Sequence, residues 1–277
     1  MNLRSRFKVI TYVTLAMTLI CATFLALCFF LSFDKELGYF TQGALPSLFK
    51  AFYAVSIAFI ISACYIYIKC KKMSTEDSAL PPFFKIICLS VGALSVIYAV
   101  YGAISALTVY GTSFYTLASL LGALAFGGFL IFVAAKDSFE YHGAKLALLC
   151  LSILFPIGIT MKNVFYVYRP SNSAENTLCV IISVSFLLYI LNEGKRMISG
   201  VATRTYPLSL LLSLFSSATL SAAYIAGYIG GAVVEADRFR DILLCLALSV
   251  YFACALFTFI SSVKEKKDAE AEAEIKE

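Results

Sequence analysis

The sequence contains no tryptophan and only one histidine, His142, and just 14% of its residues are charged. A lone loop histidine is usually solvated, and an intramembrane metalloprotease needs a cluster such as H-E-x-x-H. There is no P-loop, no G-x-G-x-x-G in a βαβ context and no G-x-S-x-G elbow. Nucleotide hydrolysis, dinucleotide binding and serine-hydrolase chemistry therefore have no carrier. No catalytic residue, cofactor or metal is expected. Nine cysteines are present, nearly all inside apolar stretches, and none forms C-x-x-C. They read as small apolar packing residues.

What the chain has in excess is apolar length. Of its 277 residues 61% are hydrophobic, with mean hydropathy +0.87. A soluble domain is about 45–50% apolar and about 25% charged. The excess falls in nearly charge-free blocks of about 20–25 residues, and about 20 residues at 1.5 Å rise cover a hydrocarbon core of roughly 30 Å. The blocks are continuously apolar, which excludes the alternating strands of a β-barrel. The fold class is an all-α polytopic membrane protein. Eight helices are predicted, at 9–33, 45–68, 83–110, 114–135, 146–168, 177–191, 207–234 and 242–263. The first is too long for a signal-peptide core and ends in no small-x-small cleavage site. Residues 1–263 form one helical bundle, and 264–277 a charged, solvated cytoplasmic tail. Seventeen Tyr and 24 Phe stand in for tryptophan as interfacial anchors.

The net charge of +5 comes from short basic clusters between the blocks. That suits topology and not a nucleic-acid stripe, so no nucleic-acid partner is expected. Sixteen Lys and Arg fall on one side of the bundle and six on the other. The bias makes the first side cytoplasmic, with both termini inside, and points to a bacterial cytoplasmic membrane. Pro156 predicts a kink in the fifth helix, and the segment from Asn192 to Tyr206 reads as a basic loop.

The stretch 81–102 has an echo at 207–228. Aligned with a shift of 126, Pro81, Ser90, Leu94, Ser95 and Tyr98 meet Pro207, Ser216, Leu220, Ser221 and Tyr224. Lys72–Met73 and Arg196–Met197 follow the second and sixth helices in the same way. This admits a parallel four-plus-four repeat with halves 1–135 and 145–263. The alternative is recurrence of Ser, Leu and Tyr in any membrane helix.

If the third and seventh helices face each other, Ser95, Tyr98, Ser221 and Tyr224 line a weakly polar cavity for a small ligand. Such hydroxyls equally serve as glue between helices. Ser119, Ala123 and Gly127 recur every four residues, as do Ala223, Gly227 and Gly231, which marks close-packed faces. No Asp, Glu, Arg or His is expected deep in a helix, which argues against proton coupling. The first reading is a protein that binds or transports a small neutral or amphipathic molecule. The second is a non-catalytic accessory subunit of a membrane complex, with the bilayer and a membrane protein or a second copy as partners. A third is a lipid-modifying enzyme. It would need Lys162, Arg169, Glu235 and Asp237, with no pocket yet to unite them.

Overall fold

A computed structural model describes residues 3–34, 39–40, 43–68, 72–75, 80–107, 113–136, 143–165, 174–231 and 236–264. The elements in order are α1 (Leu3–Ser32), β1 (Phe33–Asp34), β2 (Tyr39–Phe40), α2 (Ala44–Tyr67), β3 (Lys72–Thr75), α3 (Pro82–Ser105) and α4 (Phe114–Lys136). They continue with α5 (Gly143–Leu151), α6 (Leu154–Phe165), α7 (Ala174–Ser199), β4 (Val201–Thr203), α8 (Thr205–Ile229), α9 (Ala236–Ser262) and β5 (Val263–Lys264). Among the described residues eight stretches are long and apolar enough to cross a membrane, α5 and α6 together making one of them. The chain is a multi-pass membrane protein of the all-α class. The tail beyond 264, His142, Arg169 and Glu235 lie outside the described residues, as does the side chain of Asp237.

The helix starts and breaks follow local chemistry. Pro82 occupies the first turn of α3, where its missing N–H leaves nothing unpaired. Ser113 caps α4: its Oγ accepts from the Thr116 N–H at 3.4 Å. The fifth span breaks between Leu151 and Leu154, upstream of Pro156. A proline clashes with the carbonyl four residues earlier, here Ser152. The chain turns there, and the Ser152 Oγ donates to the Leu149 carbonyl at 2.6 Å.

One helix organises the bundle. In α8, 78% of the most apolar window is buried, against 28% in α2 and 33% in α3. It packs against α9, α1 and α7. Its proposed counterpart α3 packs mainly on α4 and α9. The two halves thus have different neighbours, and the arrangement lends the repeat no support.

A small sheet closes one end. β3 pairs antiparallel with β4 (Met73 opposite Ala202) and with β5 (Thr75 opposite Val263). Arg4 at the start of α1 donates from Nε to the Val263 carbonyl at 3.3 Å. The start of α1 and the ends of α2, α7 and α9 therefore meet at this end, which carries most of the described basic residues. At the opposite end β1 and β2 form a hairpin, with Phe33 opposite Phe40.

Candidate functional site

The four hydroxyl residues singled out in α3 and α8 occupy two separate contacts. Ser95 is buried and donates to the Val91 carbonyl at 2.8 Å. Tyr98 sets its ring edge-on to Phe155 of α6, with centroids 6.3 Å apart. Ser221 donates to the Ala218 carbonyl at 3.3 Å, and Tyr224 packs on Phe29 of α1 at 4.8 Å. The first pair looks toward α4 and α6, the second toward α1.

The small residues are used within the chain. A Cβ on Gly127 would stand 2.7 Å from the Gly92 carbonyl oxygen, so α3 and α4 touch backbone to backbone. A Cβ on Gly158 would stand 2.5 Å from the Ser119 nitrogen, which brings α6 equally close to α4. Ala123, Ala223 and Gly227 are buried. Gly231 lies beyond α8 at φ +67°, exposed, where it turns the chain and packs nothing.

A different set of buried hydroxyls is carried by α1, α2 and α8. The side-chain oxygens of Thr14 (α1), Tyr53 (α2) and Ser213, Ser216 and Thr219 (α8) are buried, and no protein group completes a hydrogen bond to them. Tyr53 stacks on Phe215 of α8, centroids 4.9 Å apart, and leans on Phe49 at 5.6 Å. The stack turns its hydroxyl toward Ser216. Beside it the Cys21 Sγ of α1 lies 3.7 Å from the Ser56 Oγ of α2. Residues 213 to 219 span about 9 Å along α8, in its middle third. The three α8 hydroxyls therefore sit near the middle of their span.

Serine or threonine inside a helix normally returns its proton to a carbonyl three or four residues back. Thr18, Ser95, Ser217 and Ser221 do so. Ser213, Ser216 and Thr219 do not. Each unsatisfied buried polar group costs about 1–3 kcal/mol. A hydroxyl both donates and accepts, and none of these five residues carries a charge. The group is suited to an uncharged partner that offers donors and acceptors together.

Buried charge is present as well, contrary to expectation. Helix α7 runs on through the supposed loop to Ser199, because Asn192–Ser199 contains Glu, Lys, Arg and Met, all good helix formers. Glu193 is fully buried. Arg196, one turn on, donates to it from Nη2 at 2.6 Å and from Nε at 3.3 Å. The guanidinium lies 5.2 Å from the centre of the Tyr206 ring, and the Tyr206 hydroxyl faces the Glu193 carboxylate. Nearby, Tyr189 and Tyr251 hydrogen-bond to each other. Lys145 on α5 is also buried, 5.7 Å from the Phe132 ring centre. The Glu193–Arg196 pair lies at the sheet end of the bundle and ties α7 to α8. The signal was in the sequence: Glu193 and Arg196 stand three apart, the spacing of a helical ion pair.

Comparison with known proteins returns no match: no family model, curated protein or solved structure is similar to this chain.

Proposed function

We propose that this protein binds a small, uncharged, hydrogen-bonding molecule within the membrane and carries it across. The reading places the chain in a bacterial cytoplasmic membrane with the sheet end inside, as the basic bias favours. It gives the protein no catalytic step. The observation that carries it is the set of orphan hydroxyls Tyr53, Ser213, Ser216 and Thr219, joined by Thr14. Five buried polar atoms without partners amount to a persistent cost in a bilayer, and a ligand supplying the missing bonds would remove it. The absence of charge from the group sets the ligand's neutrality. Ser221 and Tyr224 lie about half a turn and one and a half turns beyond Thr219 on α8 and would line the path beyond.

The accessory-subunit reading draws less support, since the small-residue face of α4 that would receive a partner helix is filled by this chain's own α3 and α6. Native mass spectrometry of the protein in mild detergent tests the proposal. The unmodified protein is expected to retain a neutral small molecule, and the triple variant Tyr53→Phe, Ser216→Ala, Thr219→Val to lose it. Identical retained masses in the two proteins would overturn it.

A further inference from the structure

The outer wall of the bundle carries two apolar grooves of different chemistry. One lies between α1 and α2, lined by Leu19, Ile20, Phe24, Leu48 and Phe52, with a volume of about 580 Å³ and no charged residue along it. The other lies between α5 and α7, with a volume of about 380 Å³. Its walls are Leu146, Leu149, Cys150, Ile153, Ile190 and Leu191. At Gly194 the tips of Leu149 and Leu146 stand across the groove, 3.7 and 3.8 Å from where a Cβ would be. Lys195, Ile198 and Ser199, at the C-terminal end of α7, complete its lining. Lys195 is exposed and has no ion pair among the described residues. The one ion pair close by, Glu193 with Arg196, is turned into the bundle.

We propose that the α5–α7 groove is a binding site for an anionic glycerophospholipid. One acyl chain lies along Leu146, Cys150, Ile153 and Leu191, and the phosphate sits at Lys195. The groove follows α5 for about 10 Å, from Leu146 to Ile153, before the break ahead of Pro156 ends it. It is walled by hydrocarbon over its length and capped by a single cation. That polarity matches a lipid whose headgroup is negative, and a zwitterionic lipid lacks the net charge to answer it. The groove also opens at the end of the bundle where the basic residues gather, so its mouth lies at headgroup level. A Lys or Arg near an anionic membrane surface contributes about a fivefold preference.

The absence of tryptophan makes the test direct, because a single introduced tryptophan is the only indole in the protein. Leu191→Trp places the reporter in the α5–α7 groove, and Phe52→Trp places it in the charge-free α1–α2 groove. Each variant is reconstituted in vesicles containing dibrominated phosphatidylglycerol or dibrominated phosphatidylcholine, and bromine quenching reads which lipid occupies the groove. The Leu191→Trp protein is expected to favour phosphatidylglycerol by about fivefold. Adding Lys195→Ala should abolish that preference, and the Phe52→Trp protein should show none. Because Lys195 is exposed, its replacement leaves the packing intact. Equal quenching by the two lipids at Leu191→Trp overturns the proposal. So does an equal preference at both grooves, or a preference that survives Lys195→Ala.

Discussion

Tyr53 has its ring in a good place and its hydroxyl in a costly one. The ring gains from stacking on Phe215, while the hydroxyl faces Ser216 without a well-formed hydrogen bond. This gives a prediction of unusual sign. In protein stripped of small molecules, Tyr53→Phe and Ser216→Ala should each raise the thermal midpoint, since each removes an orphan group costing about 1–3 kcal/mol. Thermal unfolding in detergent checks it, and a drop in midpoint for both would show that the hydroxyls are already satisfied. Glu193 should behave in the opposite way. Removing one partner of a buried ion pair costs about 3–5 kcal/mol, so Glu193→Ala should lower the midpoint severely. Glu193→Gln keeps an acceptor for Arg196 and should cost less. Neither residue was legible as it stands. Tyr53 lies in an apolar run, AFYAVSIAF, with nothing to distinguish it from a lipid-facing anchor. Glu193 falls outside the predicted sixth helix because hydropathy drops at Asn192, where the apolar run ends. Ser221 and Tyr224 were visible through the echo in α3, yet which helix they face is decided by packing, which no single-helix pattern contains.

At the scale of elements, α3 and α4 meet backbone to backbone. Gly92 and Gly127 face each other there, and a Cβ on either would enter the other's backbone: 2.9 Å to Gly127 O from Gly92, and 2.7 Å to Gly92 O from Gly127. Backbone cannot move aside as a flexible side chain would. Gly127→Val should therefore push the helices apart and destabilise the protein by about 1–3 kcal/mol. Gly128→Ala makes a control, because a Cβ there meets only the tips of Leu148, at 3.6 Å or more. Comparing their midpoints in detergent checks the claim, and equal loss in both would refute it. The spans themselves were readable because twenty apolar residues leave few alternatives to a helix. Pro156 announced a break, and the sterics of the preceding turn moved it to Ser152. The Ser119–Ala123–Gly127 stripe announced close packing, but not that α6 would be among the helices to fill it.

For the whole molecule, the even number of spans and the Arg4–Val263 contact place both ends of the described chain on one side. Single cysteines at exposed positions near Arg4 and Val263, in a background with the native cysteines replaced, should react with an impermeant maleimide from the same side of sealed vesicles. A cysteine at Phe114 should react from the other side. Labelling of all three from one face would contradict the eight-span topology. The closing sheet adds a constraint in time. β3 is made early, but β4 follows only after four further spans and β5 only after six. At about 5–20 residues per second, Thr75 waits roughly 10–40 s for Val263. Until then its backbone N–H and C=O groups lack those partners, and the ends of α2, α7 and α9 are not tied together. Closure of the sheet is thus a late event of biogenesis, open only to a chain in which α9 is already in place. A ribosome that stalls within α9 would leave β3 without its second edge, a state that a membrane-associated protease could recognise.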